Sequence, residues 1–183
     1  MTSITIPNPS RKRALLIIDV QTGFTNDRSA WIIPNIVRLI TDGTYTSFVC
    51  AKFHADQGSQ WDKQSGWTFE LTPTVPEIKD ILDFGKTIFI TKTARSIFIE
   101  QPGLVQNLRD QGIEEVHIVG YDINDCVLTT ANDAFDYGFY TYVIEEASES
   151  SQSKELCDAA LLILRENEMT NHSELISEKK VLE

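Results

Sequence analysis

The sequence predicts an α/β fold: a three-layer sandwich, with a mostly parallel, Rossmann-like sheet and helices on both faces. Three observations carry this expectation. Short runs rich in Ile, Val and Leu alternate along the chain with segments whose apolar residues recur at helical spacing, and such alternation marks parallel strand–helix–strand units. The first of those runs is apolar at almost every position, as in a strand covered on both sides. No repeat, low-complexity segment or long linker divides the 183 residues, so 1–183 reads as one domain long enough for a sizeable core.

The elements follow in order. "ALLIIDV" (14–20) reads as a buried first strand. "SAWIIPNIVRLITDG" (29–43) places Ile32, Ile36, Leu39 and Ile40 on one helical face, with Pro34 in the first turn and Gly43 as the stop. "SFVCAKF" (47–53) is a second strand. Segment 54–76, with Trp61, Trp67, Phe69 and several Gly and Pro, reads as a long surface excursion. "TIFITK" (87–92) is a third strand, and "LVQNLRDQG" (104–112) a short helix stopped by Gly112. "EVHIVG" (115–120) is a fourth strand. "NDCVLTTANDAFDYG" (124–138) is a helix with Val127, Ala131, Ala134 and Phe135 on one face. "YTYVIEE" (140–146) is a fifth strand, "SKELCDAALLILREN" (153–167) a last amphipathic helix, and the tail after Thr170 is polar.

The net charge is −11. That argues against nucleic acid or an anionic membrane as partner, because phosphates need a basic face. The apolar run Ala14 to Ile18, behind Arg11, Lys12 and Arg13, is too short for a signal-peptide core or a membrane span. Three widely spaced cysteines make no disulfide framework. A cytoplasmic protein is the expectation.

In open parallel sheets, ligands bind outside the carboxyl ends of the strands. Asp19 ends the first strand, Lys92 ends the third, and the fourth runs into "YDINDCVLTT". There Asp122 and Asp125 crowd Cys126, and neighbouring carboxylates raise a thiol's pKa. A reactive Cys126 therefore needs a positive charge, which Lys92 can supply while also countering Asp19. The blander readings stand beside this one. A cysteine at a helix start is commonly a small buried hydrophobe, the reading kept for Cys50 and Cys157. Asp19 could be a strand-end cap and Lys92 a solvated charge. Asp122, Asn124 and Asp125 could cap the next helix, the preferred reading for Asp125, whereas the Asn124 side chain could face substrate.

Three stretches together resemble the isochorismatase-like cysteine hydrolases, a family that includes nicotinamidases and N-carbamoylsarcosine amidases. "LLIIDVQTGF" is similar to the family's Asp-x-Gln-x-x-Phe at Asp19, Gln21 and Phe24; "TKTARSIF" supplies Lys92, Ser96 and Phe98; "VGYDINDCVLTTANDAFDYGF" resembles the turn that carries the nucleophile. The resemblance covers roughly 14–167. It implies an Asp19–Lys92–Cys126 triad that hydrolyses a C–N bond in a small amide, carbamoyl or ureido compound through a thioester. Lys92 and the amide ends of the 124–138 helix would favour the thiolate. It also implies a non-proline cis peptide between Tyr121 and Asp122, aiming the backbone amides of Asp122 and Cys126 at one oxyanion. No cofactor is implied, and the expected partners are a small-molecule substrate and further copies of the chain, as a homodimer or homotetramer.

Nicotinamidases of the family bind a divalent ion through Asp-x-His-x-x-x-His. In "AKFHADQGSQ", Lys52 takes the Asp position, His54 remains and Gly58 replaces the second His. Zinc normally takes at least three protein ligands, so no metal is expected. Phe24, Phe53, Trp61, Trp67, Phe98 and Tyr121 are candidates for an aromatic pocket wall, or for core packing. Two other readings remain: an isochorismatase-type vinyl-ether hydrolase in which the thiol is dispensable, and a catalytically silent member used in binding.

Overall fold

The computed structural model describes residues 4–7 and 10–173, so the end of the polar tail, from 174 on, lies outside the described residues. The elements run β1 (Arg13–Ile18), a 3-10 turn (Ala30–Ile32), α1 (Ile33–Thr41), β2 (Ser47–Phe53), α2 (Gln60–Ser65), α3 (Pro76–Lys79) and β3 (Thr87–Lys92). They continue with α4 (Ile97–Glu100), α5 (Leu104–Asp110), β4 (Glu115–Gly120), a π-helical turn (Ile123–Val127), α6 (Leu128–Asp136), β5 (Tyr140–Ser148) and α7 (Lys154–Glu166).

The five strands form one sheet in the order β3-β2-β1-β4-β5, and every pairing is parallel. Side chains alternate across a strand, so the apolar run of β1 feeds two cores. Ala14, Leu16 and Ile18 pack with residues of α4, α5, α6 and α7, including Phe98, Leu108, Ala131 and Leu164. Leu15 and Ile17 pack on the other side with Ile33, Ile36 and Leu39 of α1 and Ile78 of α3. This is the three-layer α/β arrangement the alternating runs called for.

The winding reverses between β1 and β4. The chain steps outward from β1 to β2 to β3, then returns to lie on β1's other side. Such a switch point opens a crevice beyond the strand ends. Gly120 closes β4 where the two strands crowd together: its φ is +119°, and a Cβ there would sit 2.1 Å from the Ile18 carbonyl oxygen. Only glycine fits that approach.

Several expectations are corrected. The 124–138 helix is two pieces, a π-helical turn and then α6, and Phe135 is 57% exposed rather than packed with Ala131 and Ala134. α4 was not foreseen. The 54–76 excursion holds α2 and is tied down by two short antiparallel bridges, Gln21 with Thr74 and Ala55 with Phe69. Among the described residues every peptide bond is trans, so the cis bond implied between Tyr121 and Asp122 is absent. No helix among them is long and apolar enough to cross a membrane.

Candidate active site

Three strand ends deliver three side chains to the crevice. Asp19 follows β1 with φ 53°, a left-handed conformation that Asp tolerates better than most residues, though still at a cost of about 1–3 kcal/mol. Its amide donates to the Ala51 carbonyl at 3.1 Å, holding the turn. Lys92 ends β3, opposite Phe53 of β2. Its Nζ donates to Asp19 Oδ2 at 2.7 Å, to the Ala94 carbonyl at 3.2 Å and to Cys126 Sγ at 3.3 Å, which uses all three ammonium protons. Cys126 sits in the π-helical turn after β4. Asp19, Lys92 and Cys126 are all buried.

The charges set the proton affinities. Burial pushes the Asp19 carboxyl above its usual range, even against the pull of Lys92. Burial alone would lower Lys92, but Asp19 and Cys126 together hold it above its ordinary value. Burial also pushes the Cys126 thiol well up; the Asp19 charge adds to that and the Lys92 ammonium opposes it. Lys92 acts on the thiol in the foreseen direction, while burial and the Asp19 charge act against it. Asp19 Oδ1 is buried without a hydrogen-bond partner, an open acceptor on that carboxylate.

A cavity of about 590 Å³ opens over Asp19 and Cys126. Phe24, Phe53, Trp61 and Trp67, all foreseen, line it together with Phe69, Gly23, Ser65, Asp122, Asp125, Ser151 and Gln152. The bridge from Ala55 carries Phe69 over the strand ends, where it stacks on Phe24 with centroids 4.1 Å apart. Gly23 leaves room for that ring, since a Cβ there would lie 2.7 Å from Phe69 Cζ. Trp67 stacks between Phe53 and Phe69, with centroids 5.9 and 5.7 Å away.

Gln21, Phe98, Tyr121 and Asn124 lie outside the cavity lining. Gln21 is fully buried and clamps the loops: Nε2 donates to the Phe53 and Thr72 carbonyls, and Oε1 accepts from the Phe53 amide. Phe98 is core, packed with α6 side chains. Tyr121 is core on the opposite face, its hydroxyl donating to the Ser29 carbonyl at 2.7 Å. Asn124 keeps Oδ1 buried and unpaired without lining the cavity. Asp122, not Asp125, is the N-cap of the π-helical turn and makes no side-chain cap bond, while Asp125 lines the cavity and pairs with Arg95. Asp122 accepts from the Ser151 amide and hydroxyl and from Gln152 Nε2. Cys50 and Cys157 are buried, their thiols pushed up to about 11 and about 12. Among the described residues no group of three or more His, Cys, Asp or Glu side chains is arranged to hold a metal ion.

Phe69, Ser151 and Gln152 escaped the sequence reading. Phe69 stood in the excursion beside the two tryptophans, but only the Ala55 bridge marks it as a wall. Ser151 and Gln152 follow β5, whose carboxyl end borders the same crevice, and that position was the available signal.

Comparison with known proteins gives consistent findings. A family model described as an isochorismatase domain matches residues 13–174. The chain is 30% identical over 162 residues to the uncharacterized isochorismatase family protein YwoC of Bacillus subtilis, covering 79% of this chain and 82% of that one. It is 28% identical over 155 residues to the nicotinamidase/pyrazinamidase of Mycobacterium tuberculosis, covering 72% and 83%. Among solved structures it is similar to nicotinamidase/pyrazinamidase PncA of Bacillus subtilis, with TM-score 0.69, 25% identity, and coverage of 84% of this chain and 94% of that one.

Proposed function

The chain belongs to the isochorismatase family of hydrolases, and from that premise we propose that it is a cysteine hydrolase cleaving a C–N bond in a small amide, carbamoyl or ureido compound. One observation carries the reading: a single ammonium, Lys92 Nζ, bridges Asp19 Oδ2 and Cys126 Sγ at 2.7 and 3.3 Å beside the cavity.

The chemistry follows from that geometry. Asp19, whose proton affinity is raised by burial, is a stronger base than a solvated carboxylate, and Oδ1 is free to receive a proton. As the Cys126 sulfur attacks the carbonyl carbon, its proton passes to Asp19. Lys92 steadies the sulfur's developing charge. The oxyanion is held by backbone amides, for which those of Asp122 and Cys126 are the candidates; one such donor is worth roughly 3–4 kcal/mol of barrier. Asp19 returns the proton to the leaving nitrogen, the C–N bond breaks, and ammonia or an amine departs from a thioester. Asp19 then takes a proton from water as the water oxygen attacks the thioester carbon; the C–S bond breaks, and Asp19 returns that proton to the departing sulfur, restoring the thiol as the acid leaves.

The test is a screen of small amides and ureas for ammonia release, with mass spectrometry for the acyl-enzyme. Cys126→Ala should abolish both turnover and adduct. Full activity in that variant overturns the assignment of Cys126 as nucleophile.

A further inference from the structure

We propose that the cavity selects compounds carrying a cationic group, an ammonium or quaternary ammonium, next to the carbonyl under attack. That the cation belongs to a substrate rests on the amidase reading above. The charges around the cavity do not balance. Among the described residues three carboxylates line it, Asp19, Asp122 and Asp125, and no Lys or Arg does. Lys92 compensates Asp19, and Arg95 compensates Asp125. Asp122 is held only by neutral donors, the amide and hydroxyl of Ser151 and the side-chain amide of Gln152. Among the described residues it forms no ion pair. One negative charge is left over at the cavity wall, which Asp19, with its Oδ1 buried and without a hydrogen-bond partner, also lines.

The rest of the wall is aromatic: Phe24, Phe53, Trp61, Trp67 and Phe69. Ring faces carry negative electrostatic potential and attract cations. Two rings already hold protein cations from outside the lining, Lys92 Nζ at 4.9 Å from the Phe53 centroid and the Arg95 guanidinium at 4.1 Å from the Trp61 centroid. An anionic substrate meets repulsion from both Asp122 and the ring faces. A neutral one gains burial alone. A cation gains from carboxylate and rings together, and the net charge of −11 draws cations toward the protein. The cationic group takes no part in the bond changes: its amide is hydrolysed through the Cys126 thioester to the acid and ammonia, and the product leaves as a zwitterion.

The test uses an isosteric pair, (trimethylammonio)acetamide and 3,3-dimethylbutanamide, which differ only by nitrogen for carbon at the branch. Calorimetry on Cys126→Ala protein measures binding without turnover. The cationic amide should bind at least about tenfold tighter than its neutral isostere. Asp122→Asn and Trp67→Leu, each added to Cys126→Ala, should reduce that ratio severalfold. Trp67 is 38% exposed, so its variant keeps the test open if Asp122→Asn misfolds. Equal binding of the pair, no measurable binding of the cationic amide at millimolar concentration, or a ratio unchanged in both variants overturns the proposal. Unaltered protein that hydrolyses both amides equally sinks the charge preference and leaves the hydrolase reading standing. Charge-selective binding with no ammonia released from any amide does the reverse.

Discussion

Replacing Lys92 with Met should strand a buried carboxylate, and the consequence can be worked out. Lys92 Nζ and Asp19 Oδ2 are 2.7 Å apart with both side chains essentially out of solvent. At an effective dielectric near 20, that separation is worth roughly 6 kcal/mol of attraction. Losing the ammonium also removes its own desolvation cost, so the net penalty falls to about 3–5 kcal/mol, the range for breaking a buried pair from one side. The sign of the pH dependence follows. Burial already raises the Asp19 carboxyl above its ordinary 3.8, and without Lys92 it rises further. An acid whose folded value exceeds its unfolded value favours the folded state when protonated. Its contribution is complete below 3.8 and is lost as pH climbs through the folded value. The penalty of Lys92→Met against the unaltered protein should therefore be largest at neutral pH and shrink toward pH of about 4. Urea unfolding of the unaltered protein, both single variants and Asp19→Asn/Lys92→Met measures this. The double variant, with no stranded charge, should recover about 2 kcal/mol or more of the loss at neutral pH. Strictly additive losses, or a penalty independent of pH, would falsify the buried ion pair.

Four further outcomes are expected. The acid limb of the kcat/KM profile should lie above 3.8, with activity rising as pH increases, because Asp19 must be ionised to accept the thiol proton and burial raises its value. In the folded protein at neutral pH, iodoacetamide followed by peptide mass mapping should leave Cys50 and Cys157 unmodified, since their thiols titrate at about 11 and about 12; rapid labelling of either contradicts their burial. Gly120→Ala should cost about 3 kcal/mol or more in denaturant unfolding, because its Cβ would meet the Ile18 carbonyl oxygen at 2.1 Å in a backbone with φ +119°. Gln21→Ala should cost about 2–4 kcal/mol, as it leaves the Phe53 amide and two carbonyls without their partner; a loss of activity with unchanged stability would show instead that Gln21 acts on substrate.

Much of this molecule is legible residue by residue. Strand ends are local features: an apolar run stops at a polar residue, and in a parallel sheet that stop lies at the crevice. Asp19, Lys92 and the loop before Cys126 could be placed that way before any contact was known. Phe53 closes β2, and Trp61 and Trp67 stand in an excursion leaving the same edge. The misses share one cause. Phe98 and Phe24 look alike in sequence, but Phe98 opens a helix that packs against α6, while Phe24 follows a loop pinned by Gln21. Phe135 fits the helical period of Ala131 and Ala134, yet the α6 face it occupies turns outward into solvent.

The sequence by itself therefore determined the layer architecture and the identity of the residues at the strand tips, because hydrophobic periodicity and chain stops are written within a few residues of one another. Tertiary structure alone decided the proton affinities and the wall of the cavity. The Cys126 thiol is pushed above its ordinary range because burial, added to the Asp19 charge, outweighs the Lys92 ammonium. Among the described residues Asp122 has no countercharge, its side-chain partners being Ser151 and Gln152. Both depend on groups up to 107 positions apart, such as Asp19 and Cys126, and on how much water the packing leaves between them, and neither is encoded in any local pattern.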